Sequence, residues 1–323
     1  MPSEAIQRPS PAHPLPAIGR RQVLRLAGAL AAGVLVGCEQ TARGGDAPAG
    51  AASPIAVSPT AARVAMGSCG SLSKAGMLKA AGADYLEESV QGLLVPDKDA
   101  GAFSGKVSAI TAAAIPVRCC NGFLPGSLKS VGPAAAHDAI LAYAETAFTR
   151  ARQVGIETIT FGSGASRQIP DGWSADQALA QFSELLKRMG PLAAAQGLVV
   201  AVEPLRKAEC NFLNRIGEVA QAVSRAQHPA VRITADLYHM VIGGDTADDL
   251  EQAMPLLRHF HIAERATRSI PGAAGDDFRP FFRVLARHGW SGRMSIEAGP
   301  AGGESAYHAG FAYLRAQAHD AGI

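Results

Sequence analysis

The stretch from Arg232 to Met240, RITADLYHM, runs out of β-favouring residues into two ionisable ones. Val231, Ile233 and Thr234 are β-branched and suit a pleated, half-buried surface. The run stops at the carboxylate of Asp236, and an imidazole, His239, follows three residues later. Alone, the stretch is either a strand that ends in polar residues or one half of a metal site. Its neighbours decide the fold. Working outward, β-rich runs fall at 63–67, 84–89, 116–121, 158–162, 198–203, 231–236, 259–264 and 293–298. Helical patterns lie between them at 134–155, 174–197, 216–227, 246–258, 278–289 and 303–322. Ser174 is placed to cap one of these helices, and Gly155 and Gly197 to end two. Strand–helix alternation with nearly continuous apolar strands predicts a parallel sheet covered by helices. Eight such units over roughly 260 residues match a (β/α)8 TIM barrel. The competitor, a doubly wound open sheet, announces itself by GxGxxG after its first strand. The chain has MGSCGSLSKAG at 66–76 instead.

Composition agrees with a large buried core: 48% of the 323 residues are apolar and 18% charged, which argues against disorder. The first sixty residues read differently. GRRQVLRLAGALAAGVLVGC, 19–38, places Arg20 and Arg21 before an apolar run, Leu26 to Val36, that is short for a bilayer span. The paired arginines resemble a Tat export signal, and Leu-Val-Gly-Cys resembles a lipobox with Cys38 as the lipidated residue. The expected organisation is a Tat/lipoprotein signal peptide at 1–37, a flexible tether at 38–60, and the barrel at 61–323. The chain is then exported to the cell envelope or periplasm and tethered to the membrane through Cys38. Residues 1–37 hold Arg8, Arg20, Arg21 and Arg25 against Glu4, leaving 26 basic and 27 acidic residues of the 30 and 28 in the whole chain. The small positive charge therefore belongs to the leader and gives no support for a nucleic-acid partner. Cys69, Cys119, Cys120 and Cys210 form no CxxC pair and read as mostly buried thiols, with a disulfide between distant cysteines as the alternative.

In a barrel the chemistry gathers at the C-terminal ends of the strands. Four consecutive strands end in ligand-type residues: VAVEPL in Glu203, ITADLYH in Asp236 and His239, HFHIAE with His259 and His261, and MSIEAG in Glu297. Any one carboxylate is explained as a helix cap or surface residue, and a lone histidine as packing. Four on adjacent strands are a mixed O/N set that suits Mn²⁺, Mg²⁺ or Co²⁺ better than a structural zinc site. Alternation puts His259 and His261 on one side of their strand, so direction does not choose between them.

VAVEPL, ADLYHM, HFHIAE and SIEAG, in this order, closely resemble the xylose isomerase-like TIM barrels of the sugar phosphate isomerase/epimerase superfamily. FLPGSLKSVGP (123–133) and TFGSGASRQIPDGW (160–173) resemble stretches of one bacterial branch. The resemblance spans about residues 61–320 and implies that Glu203, Asp236, His261 and Glu297 bind one divalent ion, Mn²⁺ first among the three. It also implies that Glu203 and Glu297 act as an acid/base pair on opposite faces of a sugar carbon. His239 and Glu209 would contact substrate, and Arg268 falls where ketose 3-epimerases keep a substrate-gripping arginine. HIAERATRSIPG (261–272) departs from the branch's HIADPGR, which leaves Arg265 beside Arg268 for that role. Trp173 is read either as a cover for the pocket mouth or as packing.

The expected activity is a metal-dependent sugar isomerase or epimerase acting by proton abstraction beside a carbonyl, through an enediolate. An envelope location favours free or oxidised sugars over phosphorylated ones. Two alternatives are a 3-keto-glycoside lyase that cleaves C-glycosides on the same site, and a non-catalytic sugar-binding lipoprotein. The second leaves the Glu203–Glu297 pair without a purpose. An endonuclease IV-like activity would need more histidines and a basic face. A homo-oligomer is the assembly that the sequence leaves open.

Overall fold

The computed structural model describes residues 64–299 and 302–323. The expected leader and tether, with Cys38, lie outside the described residues. Eight parallel strands close into a barrel in sequence order: β1 Ala65–Cys69, β2 Tyr85–Ser89, β3 Val117–Asn121, β4 Thr158–Phe161, β5 Val199–Val202, β6 Val231–Asp236, β7 Leu257–Ile262 and β8 Arg293–Ile296. Closure is made by β1 against β8, with Met66 opposite Met294 and Ser68 opposite Ile296. All eight expected strands are present, and the (β/α)8 architecture is as the alternation requires.

Local chemistry sets the boundaries. Ser174 and Gln177 form a capping box at the start of the helix Ala175–Ala195, each satisfying an N–H that the first turn leaves open. The expected helix over 246–258 ends early, at Ala253, and continues as the 3₁₀ turn Met254–Leu256. Pro255 has no N–H to continue the ladder, so β7 begins at Leu257, two residues before the expected start. A helix that the apolar pattern did not announce, Ala100–Thr111, follows β2 and is capped by Asp99. Its two internal glycines, Gly101 and Gly105, had masked it.

Alternation divides each strand between two environments. Outward residues such as Leu86, Val200, Ile233, Phe260 and Met294 are fully buried beneath the helices. Phe123, Phe148, Phe161 and Phe182 pack in that layer, with ring centroids 5.2–5.8 Å apart in stacked, edge-on and tilted pairs. The inward layer is polar. Thr160 and Thr234 hydrogen-bond at 3.1 Å, and the Tyr85 hydroxyl meets Ser295 Oγ at 2.7 Å across the barrel. Cys69, Cys119, Cys120 and Cys210 are all free thiols, the last three buried, so the buried-thiol reading holds. Among the described residues no helix is long and apolar enough to cross a membrane.

Gly67 on β1 pairs with Tyr85 and gives its ring the space it needs, since a Cβ there would come within 2.6 Å of the ring. Backbone and a buried ring cannot both yield in a closed barrel. Gly67→Ala is therefore expected to lower stability by about 1–3 kcal/mol, read as a lower urea midpoint at an unchanged slope.

Candidate metal centre

Four strands deliver four side chains to one point at the C-terminal mouth of the barrel. Glu203 follows β5, Asp236 ends β6, His261 lies on β7 and Glu297 follows β8. His261 Nδ1 stands 2.8 Å from Glu203 Oε1, 3.6 Å from Glu297 Oε2 and 3.9 Å from Asp236 Oδ2. Gly162, at the end of β4, makes room for this arrangement, because a Cβ there would overlap Glu203 Oε2. The helix-cap explanation of Asp236 is also true: its Oδ1 accepts the His239 N–H at 3.0 Å and caps the helix Leu237–Gly243. One oxygen starts the helix and the other faces the cluster.

Three carboxylates this close repel one another. Burial first, then Glu203 and Glu297, pushes the Asp236 carboxyl well above its usual range. Burial works against a charged His261, yet Glu87 and Glu297 hold that imidazole well above its ordinary value. The donor chemistry fits a divalent cation, which would relieve the repulsion with hard oxygen ligands and one imidazole. Ligand atoms of Glu203, Asp236, His239 and Glu297 also lie within 4.8 Å of one another, so two histidines compete for the nitrogen position. Hydrogen bonding separates them. His239 Nδ1 accepts the Arg206 N–H at 3.2 Å, and burial pushes its pKa down to about 4. The ring is neutral and, with Nδ1 accepting, carries its proton on Nε2. His261 turns its Nδ1 edge toward all three carboxylates and meets Glu203 Oε1 there at 2.8 Å.

A charged rim surrounds the cluster. Arg268 donates to Glu297 Oε2 at 2.5 Å and to Glu209 Oε1 at 3.1 Å, and Arg206 donates to the same Glu209 oxygen at 2.8 Å. Both guanidiniums lie over the Tyr238 ring, at 4.9 and 5.4 Å. His239 Nε2 is 3.7 Å from Glu209 Oε2. The structure thus brings His239, Glu209 and Arg268 together beside the carboxylates, while Arg265 is exposed on the loop. That loop is pinned by Glu264, whose buried carboxylate accepts the backbone N–H groups of Gly272, Gly275 and Asp276. Arg268 itself sits at φ 51°, a left-handed conformation costly for a residue with a Cβ. Trp173 is partly buried and packed against the hydrophobic core, the packing alternative.

Several residues of the site escaped the sequence reading. Asn121 donates to Glu297 Oε1 at 2.9 Å. Glu87 on β2 lies fully buried between His261 Nε2, at 3.0 Å, and His259 Nε2, at 2.7 Å. The available signal was alternation. In DYLEES only one of Glu87 and Glu88 can face inward, and an inward carboxylate beneath a ligand cluster needs partners. Glu88 instead accepts backbone N–H groups of Leu72 and Ser89.

A family model described as xylose isomerase-like TIM barrel matches residues 77–317. The chain belongs to that family. Among solved structures, the family fold is seen in the Escherichia coli 3-keto-D-glucoside 4-epimerase, 22% identical, at a TM-score of 0.67 over 79% of this chain and 100% of that one. A D-psicose 3-epimerase from Clostridium cellulolyticum H10, 16% identical, superposes at 0.70 over 79% and 99%. In sequence, a putative hydroxypyruvate isomerase of Mus musculus is 25% identical over 169 residues, 49% of this chain and 59% of that protein. The 3-dehydro-D-guloside 4-epimerase of Escherichia coli (strain K12) is 30% identical over 125 residues, 38% and 47%. The chain therefore spans about half the length of these curated relatives.

Two outcomes are expected of the isolated protein. Mn²⁺ at a hundred times its dissociation constant should stabilise it by about 2.7 kcal/mol, read as a raised thermal midpoint that Asp236→Asn abolishes. His239, depressed in the folded state, refuses a proton that the unfolded chain accepts. Stability should fall as the pH drops from 6.5 towards about 4, and the decline should be shallower in His239→Gln.

Proposed function

We propose that the protein is a divalent-metal-dependent sugar isomerase or epimerase, acting by proton abstraction next to a carbonyl, with Glu203 and Glu297 as the acid/base pair. The observation that carries this is the convergence of Glu203, Asp236 and Glu297 on His261 Nδ1, beside a rim of substrate-type donors. These four residues would hold the ion, with Mn²⁺ as our first choice. When bound, it supplies Lewis-acid stabilisation of the charge that develops on the carbonyl oxygen of an enediolate.

The protein's own groups have distinct tasks. The neutral His239 offers its Nε2 proton to a sugar oxygen, and Glu209 accepts from a hydroxyl. Arg268 neutralises Glu297 at 2.5 Å and is positioned to grip the substrate as well. Asn121 holds the other Glu297 oxygen, so that carboxylate keeps one orientation while a proton moves to or from it. Glu203 is held by His261, in the space that the absence of a side chain at Gly162 leaves for it. Two carboxylates fixed from different strands allow removal of a proton on one face and its return on the other, which inverts the carbon.

The substrate class we propose is a keto-sugar or keto-glycoside. Similarity to epimerases named for 3-keto-D-glucoside and 3-dehydro-D-guloside supports it. We further propose export to the cell envelope and membrane tethering through lipidated Cys38, which rests on the leader pattern. The expected substrates are then unphosphorylated.

Incubation of the Mn²⁺-loaded protein with a free ketose and with a 3-keto-glucoside in D₂O, followed by NMR, tests the activity. Deuterium should enter the carbon beside the carbonyl without bond cleavage. Glu297→Gln and Glu203→Gln should each slow that exchange by roughly 10²–10⁴-fold, whereas a binder that lacks catalysis would show no exchange to lose. In cells, Cys38→Ala should shift the protein from the membrane fraction to the soluble one and abolish incorporation of labelled fatty acid.

A further inference from the structure

The residue beneath the cluster carries a consequence for how the site is assembled. Glu87 is fully buried on β2 and takes three donors. Its Oε1 faces His261 Nε2 at 3.0 Å, and its Oε2 faces His259 Nε2 at 2.7 Å and Ser295 Oγ at 2.6 Å. An ionised carboxylate only accepts, so each partner must direct its hydrogen at Glu87. The Ser295 hydroxyl therefore points to Glu87 and accepts from the Tyr85 hydroxyl at 2.7 Å. His259 carries its proton on Nε2 and turns the lone pair of Nδ1 to Cys119 Sγ, 3.9 Å away. His261 likewise carries a proton on Nε2. By the same rule Nδ1, 2.8 Å from Glu203 Oε1, bears a second proton in the ion-free ring. A cation among Glu203, Asp236 and Glu297 would displace that proton and leave Nε2–H on Glu87.

We propose that Glu87 is the positioning residue of the site: by accepting His261 Nε2–H it fixes the ring's tautomer and orientation, so that Nδ1 presents its lone pair to a cation held by the three carboxylates. The inference rests on the reading that those carboxylates and His261 hold a divalent ion. It assigns Glu87 no contact with substrate or ion. Ligand atoms of Glu87, Cys119 and His259 lie within 4.8 Å of one another, the spacing of a second, softer metal site. The directions of the hydrogen bonds oppose that use, since Oε2 is already taken by two donors and the His259 Nε2 proton would have to leave.

Glu87→Gln tests this, because an amide cannot accept from all three donors at once. Its NH₂ would face an N–H or O–H and drive a histidine to the other tautomer. Mn²⁺ is titrated into the wild type, Glu87→Gln and Ser295→Ala, with free ion read by electron paramagnetic resonance and folding by circular dichroism. The wild type is expected to bind one ion. Glu87→Gln is expected to bind it 10–100-fold more weakly, and Ser295→Ala, which leaves the Glu87–His261 contact intact, within about threefold of the wild type. Equal affinity in Glu87→Gln overturns the proposal, as does an equal loss in both variants, which would mark general loosening. Two ions per chain would assign Glu87 to a second site instead. A wild type that binds no ion overturns the metal-site reading itself.

A second measurement needs no variant. In histidine-labelled wild type loaded with Zn²⁺, long-range ¹H–¹⁵N NMR should find the His261 proton on Nε2. A proton on Nδ1 overturns the proposal.

Discussion

Confining three carboxylates around one imidazole in the mouth of a closed barrel is the constraint on which the rest depends. Like charges at this spacing are unstable in a low-dielectric interior, and the fold answers with counter-charges placed from separate strands. His261 enters from β7 between Glu203 and Glu87, and Arg268 arrives from the following loop against Glu297. Glu264 exists in this scheme to hold that loop, tying three backbone N–H groups into one buried carboxylate. The strain of Arg268 in a left-handed conformation is tolerated because its guanidinium finds two carboxylates and an aromatic face at once. Barrel geometry supplies the precision. A side chain at the end of a hydrogen-bonded parallel strand has little freedom to drift.

The polar interior follows from the same constraint. A barrel of this size is ordinarily filled by branched apolar residues, yet here Thr160, Thr234, Tyr85, Ser295, Glu87 and His259 occupy inward positions and satisfy one another. The apolar burial that stabilises the protein lies outside the strands, under the helices, where Phe123, Phe148, Phe161 and Phe182 gather. Division of labour between the two faces of each strand lets the site be polar without weakening the core.

Much of this was legible in the sequence. The eight strands were visible because β-branched runs recur between capped helices, and the ligand-type residues because they stand where those runs end. What escaped was set by distance in sequence and by ambiguity of face. Glu87 lies 172 residues or more from the histidines it supports, and next to it stands Glu88, of the same chemistry and opposite orientation. His259 and His261 share a face, so only depth in the barrel separates them: one reaches the carboxylates and the other stops at Glu87 and Cys119. Arg265 and Arg268 were indistinguishable until the loop's own hydrogen bonds turned one inward and left the other in solvent. The early end of the helix before β7 was readable at Pro255, where the apolar pattern carried on and the backbone ladder did not.

Asp236 returns the question with which the sequence began, and the answer has an evolutionary side. One of its oxygens starts the helix that carries Tyr238 and His239, and the other belongs to the cluster. Selection on what the mouth recognises and selection on how firmly the centre is held therefore act on a shared atom pair. Changes at Tyr238 or His239 that shift the first turn of the helix alter both properties together. Change should be tolerated most readily in a loop such as the one after β1, which begins at no cluster carboxylate and carries no counter-charge to the cluster.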